Sequence, residues 1–363
     1  PTVAAQVKAG KIPKEPFYEN GNEVVRPLGI YSDALYTTKM LEYMERERHT
    51  GKPFFAYVAY TTAHAPLQAP MNLIEAYEDH YLELGYEGLK HARFESQKRH
   101  GLIPPDAAFP AEGSNPLVTA WSALSDEEKR RQARMMATYS AMMESQDFHI
   151  GLMLNYLRET GQLANTLVIY LADNGPEGLD VEGALSNPAA TRWIEANFSQ
   201  DTADIGAGNA FGFIGTSWAN ASTGGLQWWK WFIGEGGVRV PLLVLPPANQ
   251  TSARAGTKES GFANVKDIAV TILDYAGIEH PGTEYRGRSV APPSGVSIKG
   301  YLEGAKPTPR SDEEWHAYEL FGNGYIVSGD YKAIRVRPAM FGDGKWHLYD
   351  IAKDPGETRP LDG

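Results

Sequence analysis

The chain has 363 residues, 42% hydrophobic and 22% charged, which is material for one large or two ordinary globular domains with a sizeable core. Its 34 basic and 45 acidic side chains leave a net charge of −11. That argues against nucleic acid as the main partner, because phosphate contacts need a basic surface, though a small anion can still sit in a local basic pocket.

The chain has no cysteine, which excludes disulfides, thiolate zinc sites and a cysteine nucleophile within these residues. No run of about 18 apolar residues occurs, so no membrane span is expected. Residues 1–30 begin at Pro1, show no signal peptide and read as an irregular lead-in, so a processed or truncated chain, or a partial reading frame, is expected. The compartment is open between bacterial cytoplasm and periplasm.

Residues 33–48 read as a helix with Asp33 as its N-cap. The aromatic-rich run 53–60 has the length and lead-in of a buried strand, and 61–70 is a turn-rich loop. A short helix is expected at 72–80. Ser125 and Glu128 have capping-box spacing. The helix they open should run to Thr160, with Met135, Tyr139, Met142, Met143, Ile150, Leu154 and Leu157 facing the core and Gly161 just past its end. A methionine stripe of this kind is core packing.

The segment 166–172 is a second buried strand, 176–226 a long Gly-, Ala- and Asn-rich connection, and 238–245 a third strand. A short amphipathic helix follows at 266–276. The order of helices and strands predicts an α/β fold with a mostly parallel or mixed central sheet flanked by helices. Beyond residue 300, short alternating segments at 315–320, 325–328, 332–336 and 346–349 predict a small antiparallel sheet as a C-terminal subdomain, 301–363.

In α/β sheets, sites form beyond the C-terminal ends of strands. Two strands end in residues with useful chemistry. The first leads to His64 in Thr61-Thr-Ala-His64-Ala-Pro; a histidine there is also commonly a structural hydrogen-bonding residue. The second leads to Asp173-Asn174-Gly175, which is an ordinary turn signal or a pair of hard oxygen ligands suited to Ca²⁺ or Mg²⁺. Two ligands do not complete a calcium site, so others must come from elsewhere. The third feature is Lys230, set among Trp228, Trp229 and Trp231 and followed by Glu235-Gly236-Gly237. It is either a snorkelling side chain or a cation held for an anion.

Taken together, five motifs in order resemble the sulfatase family. They are Lys52-Pro-Phe-Phe-Ala-Tyr-Val-Ala-Tyr60 with His64-Ala-Pro-Leu-Gln-Ala-Pro70; Thr166 to Asp173-Asn174-Gly175; Lys230 with Glu235-Gly-Gly-Val-Arg-Val-Pro241; Val265 to Gly277; and Leu348-Tyr-Asp-Ile-Ala-Lys-Asp-Pro-Gly-Glu357. The connection containing Gly215-Thr-Ser-Trp218-Ala-Asn resembles bacterial arylsulfatases. The resemblance implies an alkaline-phosphatase-like fold, with residues 1–300 as the later part of the catalytic domain. It also implies hydrolysis of a small-molecule sulfate ester, with Asp173 and Asn174 ligating Ca²⁺ (or Mg²⁺), Lys230 binding a sulfate oxygen, and His64 bonding the sulfate or assisting the departing alkoxide. Residues 211–231, with Trp218, Trp228, Trp229 and Trp231, are offered as a wall for the leaving group or as core.

The family's nucleophile is a formylglycine made from the first residue of a Cys (or Ser)-x-Pro-x-Arg motif. This chain has no cysteine and no Ser-x-Pro-x-Arg. The resemblance therefore implies that the nucleophile and the remaining metal ligands lie in a missing N-terminal segment. This chain is then expected to be inactive alone and to present an apolar sheet edge that can pair with that segment. Two other readings stand beside this one: a phosphoesterase or phosphonate hydrolase of the same superfamily, and a non-catalytic sulfatase-like binding protein.

Overall fold

The computed structural model describes residues 17–27, 29–111, 113, 115–180, 187–248, 252–311 and 313–361; residues 1–16 of the expected lead-in lie outside them. The chain divides into two compact units, one of residues 1–89, 115–159 and 177–222, the other of residues 90–114, 160–176 and 223–363.

In the first unit, strands β1 (Phe17–Glu19) and β2 (Asn22–Val24) form an antiparallel hairpin. The lead-in is thus not wholly irregular. Asn20 and Gly21 at its tip have φ of 52° and 81°, the left-handed pair that a two-residue hairpin loop requires. Helix α1 (Ser32–Glu47) follows. Its N-cap is Tyr31, which makes no side-chain cap bond. Asp33 is therefore not the cap, and lies fully buried inside the first turn.

The expected strand at 53–60 is not a strand. Phe55 and Tyr57 are 73% and 77% exposed. The run has strand composition, but among the described residues no neighbouring strand pairs with it, and a strand exists only through its ladder.

Helix α2 (Met71–Arg99) is far longer than the expected turn or two; its residues up to Leu89 belong to the first unit and the rest to the second. It kinks at Gly85, whose φ of 62° and close approach to the Trp121 ring leave no room for a Cβ. Helix α3 (Asp126–Glu159) starts with the expected capping box: Ser125 N–H and hydroxyl donate to Glu128, and the Glu128 N–H donates back. Met135, Met142 and Leu157 are buried, whereas Met143 is exposed.

The long connection folds locally. Helix α4 (Pro188–Asn197) is capped by the Asn187 side chain, and α5 (Gly215–Ser222) buries Trp218 edge-on against Tyr81 and Tyr86. Trp218 is thus core, not the wall of a site.

In the second unit, β3 (Val168–Leu171) pairs with β4 (Leu242–Leu245), from Val168 opposite Leu245 to Leu171 opposite Leu242. The two strands run antiparallel. The expected parallel central sheet is not among the described pairings, because each ladder between strands is antiparallel. The one-turn helix α6 (Glu235–Val238) precedes β4. Helix α7 (Val265–Ala276) has a capping box between Asn264 and Asp267 and ends on left-handed Gly277. Strands β5 (Glu284–Tyr285) and β6 (Arg288–Ser289) make a small hairpin, and α8 (Lys299–Leu302) is a single turn.

The expected C-terminal sheet is present, with β7 (Trp315–Leu320), β8 (Asn323–Ser328), β9 (Tyr331–Arg335) and β10 (Trp346–Asp350) in the order β10-β9-β8-β7. Its inner face packs Tyr325, Val327 and Ile334 against Ile233. Among the described residues, no helix is long and apolar enough to cross a membrane.

Candidate active site

Two loops of the second unit are joined through their backbones. After β3 the chain turns through Ala172, Asp173, Asn174, Gly175 and Pro176. Ala172 N–H donates to Pro241 O at 3.4 Å, Gly175 N–H to Gly237 O at 3.0 Å, and Lys230 N–H to Pro176 O at 3.1 Å. The turn carrying Asp173 and Asn174 therefore lies against the loop carrying Lys230. Glycine is required for this approach. A Cβ on Gly175 would come within 1.9 Å of Gly236 O, one on Gly236 within 2.2 Å of Trp228 O, and one on Gly237 within 2.3 Å of Phe232 O.

Asp173 is exposed and Asn174 half-buried. Asn174 Nδ2 donates to Gly175 O at 2.8 Å, which fixes the plane of its amide. Lys230 Nζ lies 5.6 Å from the centre of the Trp231 ring, so its half-buried ammonium has an aromatic face beside it. Trp228 stacks on Phe232 and Trp231 on Phe321. Trp229 is fully buried core. Of the four tryptophans offered as a wall, Trp231 has its ring beside the Lys230 ammonium.

His64 belongs to the first unit. Its loop is held mainly by side chains. Thr62 Oγ1 donates to both carboxylate oxygens of Asp33, at 2.6 and 2.8 Å, and Gln146 Nε2 donates to Thr62 O at 3.0 Å. His64 N–H closes a turn onto Thr61 O. The His64 ring is more than half exposed, with Nδ1 2.7 Å from Ala65 O. That contact needs a proton on Nδ1, so Nε2 is the atom left to exchange one. Nε2 lies 3.9 Å from Glu177 Oε2.

Burial raises the Asp33 carboxyl, an effect opposed by the Thr62 hydroxyl and by His149. Burial likewise depresses His149, opposed by Asp33. His149 Nδ1 is buried without a hydrogen-bond partner among the described residues.

Sequence reasoning singled out His64, Asp173, Asn174 and Lys230 but missed Thr62, Gln146 and Glu177 around His64 and Lys332 behind Lys230, and it named Glu235 and Glu357 as motif residues without a role. For Lys332 there was a usable signal, a lysine at an inward position of an alternating strand.

For a divalent cation, Asp173 and Asn174 supply hard oxygens of the right kind. They are too few, because among the described residues no group of three or more histidines and carboxylates could hold a metal ion. The pair fits part of a calcium shell and not a whole one.

The sulfatase family model matches residues 4–278. An uncharacterized sulfatase of Schizosaccharomyces pombe is 34% identical over 95% of this chain and 61% of its own length. An arylsulfatase of Klebsiella aerogenes is 29% identical over 78% of this chain and 58% of its own. The chain thus spans about three fifths of the length of these relatives. Among solved structures, Ps i-CgsB bound to k-i-k-neocarrahexaose superposes with a TM-score of 0.58 at 19% identity, over 99% of this chain and 57% of that one. A phosphonate monoester hydrolase from Silicibacter pomeroyi superposes with a TM-score of 0.50 at 17% identity, over 99% and 63%. These likenesses show an α/β fold of the alkaline-phosphatase-like kind. With most of its residues matched by the family model, the chain belongs to the sulfatase family.

Proposed function

We propose that this chain carries part of the active site of an arylsulfatase-type sulfuric ester hydrolase, which cleaves a small-molecule sulfate ester to sulfate and an alcohol or phenol. The observation that supports the reading is the backbone junction that holds the 173–176 turn, which carries Asp173 and Asn174, against the loop that carries Lys230. A sulfate ester needs that combination, since charge grows on its oxygens and on the leaving oxygen as the S–O bond breaks.

In this reading Lys230 binds a sulfate oxygen and offsets that charge, and its aromatic neighbours reduce competition from water. His64, protonated at Nε2, hydrogen-bonds the sulfate or gives its proton to the departing alkoxide. Asp173 and Asn174 would hold part of the shell of a Ca²⁺ ion, or of Mg²⁺. When bound, such an ion polarises the sulfate oxygens. The remaining ligands and the formylglycine nucleophile would be supplied by a further segment associating with this chain. The exposed aromatic residues of 53–57 support such an association, because unpaired apolar segments seek partners.

The experiment is hydrolysis of a chromogenic aryl sulfate with Ca²⁺, using the phosphate and phosphonate esters of the same phenol as controls. It is run on this chain alone and on the protein completed with the segment that bears the nucleophile motif. We expect no turnover by the chain alone, and sulfate ester hydrolysis by the completed protein that drops at least about a hundredfold in Lys230→Ala, the scale of losing one charge-stabilising group. Turnover by the chain alone that is lost on changing His64 would discard the separate nucleophile. Preference for the phosphonate ester would move the function to phosphonate hydrolysis. Asp173→Ala should also abolish stoichiometric Ca²⁺ binding by the completed protein, read by calorimetry; retained binding would remove Asp173 from the ligand set.

A further inference from the structure

We propose that Lys332 and Glu357 are positioning residues for Lys230, so that the C-terminal sheet serves the site through a buried charge cluster at the base of the Lys230 loop. What that loop is positioned for rests on the reading of Lys230 as a sulfate ligand.

Lys332 lies on β9, sharing the inward face with Ile334, where an alternating strand calls for an apolar side chain. It is completely buried. Burial alone would depress its ammonium, but Glu357 and Glu235 together push it up, so it is charged. Nζ donates to Ile233 O at 2.8 Å and to Glu235 Oε1 at 2.9 Å, and forms an ion pair with Glu357 Oε1 at 2.7 Å.

Glu357 holds the loop at both ends. Its Oε2 accepts the backbone N–H of Glu235 at 2.9 Å, and its backbone oxygen accepts Gln227 Nε2 at 3.2 Å. Gly236 N–H then closes the loop onto Gln227 O at 2.7 Å. Gly234 packs so tightly here that a Cβ would come within 2.6 Å of Trp228 and 3.0 Å of Glu357 Oε2.

Lys230 sits inside this closed loop, between two residues with left-handed backbones: Trp228 at φ 67° and Trp231 at φ 81°. Bulky side chains rarely adopt that conformation, and it persists only where the surroundings over-determine it. The charge cluster is that surrounding. It is a poor way to gain stability, since apolar residues of the same shape commonly serve as well or better. What it adds is direction: bonds of fixed geometry to Ile233, Glu235 and Gln227, which fix where the chain re-enters on either side of Lys230.

The test uses hydrogen exchange of the whole chain and binding of inorganic sulfate. In Glu357→Gln the side-chain oxygen can still accept the Glu235 N–H, but the amide then meets the Lys332 ammonium donor to donor. We expect amides of 227–237 to exchange at least about tenfold faster, with those of 323–335 changed less than about twofold, the signature of local opening. Unchanged exchange in 227–237, or loop and sheet loosening together, overturns the proposal. Should Glu357→Gln fail to fold, the paired variant Lys332→Met with Glu357→Gln decides, because it removes the buried cation together with one buried carboxylate.

Sulfate binding separates this inference from the functional reading. If the wild-type chain binds no sulfate, or Lys230→Ala leaves its binding unchanged, the sulfate role of Lys230 fails while the exchange result still decides positioning. If Lys230→Ala weakens binding, Glu357→Gln should weaken it at least about fivefold in the wild-type background and not further in the Lys230→Ala background; additive losses mark independent sites and overturn the proposal.

Discussion

Two sheets of the second unit are built from similar residues and end in opposite conditions. In the four-stranded sheet, β8 and β9 alternate buried and open positions, and the inner row, Tyr325, Val327 and Ile334, closes on Ile233. In the pair β3 and β4, each residue of β3 is only half-buried, and Leu243 and Leu245 of β4 are 58% and 49% exposed. Composition decides that a segment can be a strand; neighbours decide whether its apolar side chains leave water. The supporting sheet is complete within the described residues, whereas the strand that leads directly into Asp173 and Asn174 has a single described partner.

The comparison can be broken most severely from the closed side. Lys332→Ala leaves the buried Glu235 and Glu357 carboxylates without the buried ammonium they share, with Arg239 still 3.9 Å from Glu235, and should destabilise the chain by about 4 kcal/mol in urea unfolding. Ile334→Ala removes a core side chain from the same strand face and should cost about 3 kcal/mol. If both changes proved as mild as substitutions on the exposed face of β4, the sheet would not be the closed element that its burial indicates.

Gly175→Ala comes next. The added methyl must displace Gly236 O, so the junction of the two site loops should open at a cost of about 1–3 kcal/mol, the range for overpacking. Because the strain falls on the junction, hydrogen exchange of the Gly175 and Lys230 amides should speed up before the four-stranded sheet responds. Equal responses would mean that the junction is not a local unit.

Much of the framework was legible because its signals are local. The Ser125–Glu128 box, the four alternating C-terminal segments and left-handed Gly161 each act within a few residues. The Asn20-Gly21 hairpin was equally legible, and reading 1–30 as irregular missed it. The run 53–60 misled because its composition is that of a strand while no strand among the described residues pairs with it. Asp33 misled for a related reason: at a helix start it reads as a cap, yet its partner Thr62 is 29 residues away. The motif residues Asp173, Asn174 and Lys230 were singled out by pattern. What holds Lys230 was not, since Glu357 meets the Glu235 amide across 122 residues and Lys332 meets the Glu235 side chain across 97.

The first unit gives a prediction of direction. His149 is depressed by burial, so its neutral form is favoured in the folded state. A group depressed in this way contributes stability that is present above its unfolded value, near 6.5, and lost as the pH falls through its folded value. Asp33, raised by burial, acts in the opposite sense and only at lower pH, near and above its ordinary value of 3.8. Unfolding midpoints in urea should therefore fall as the pH drops below about 6.5, and His149→Gln should flatten that slope. An unchanged slope would assign the pH dependence to other groups, among which His316 is also depressed, first by burial and then by Lys266 and Arg310.

The smallest expected effect is the sharpest on the open side. Leu243 already has its side chain in water, so Leu243→Thr, which keeps a strand-forming residue opposite Tyr170, should change the stability of the isolated chain by no more than about 0.5 kcal/mol. If a further segment completes the sheet over β4, the same substitution should weaken its association by about tenfold, because the buried area of a leucine is then at stake. A loss of more than about 1 kcal/mol in the isolated chain, growing with protein concentration, would mean instead that a second copy already covers this face in solution.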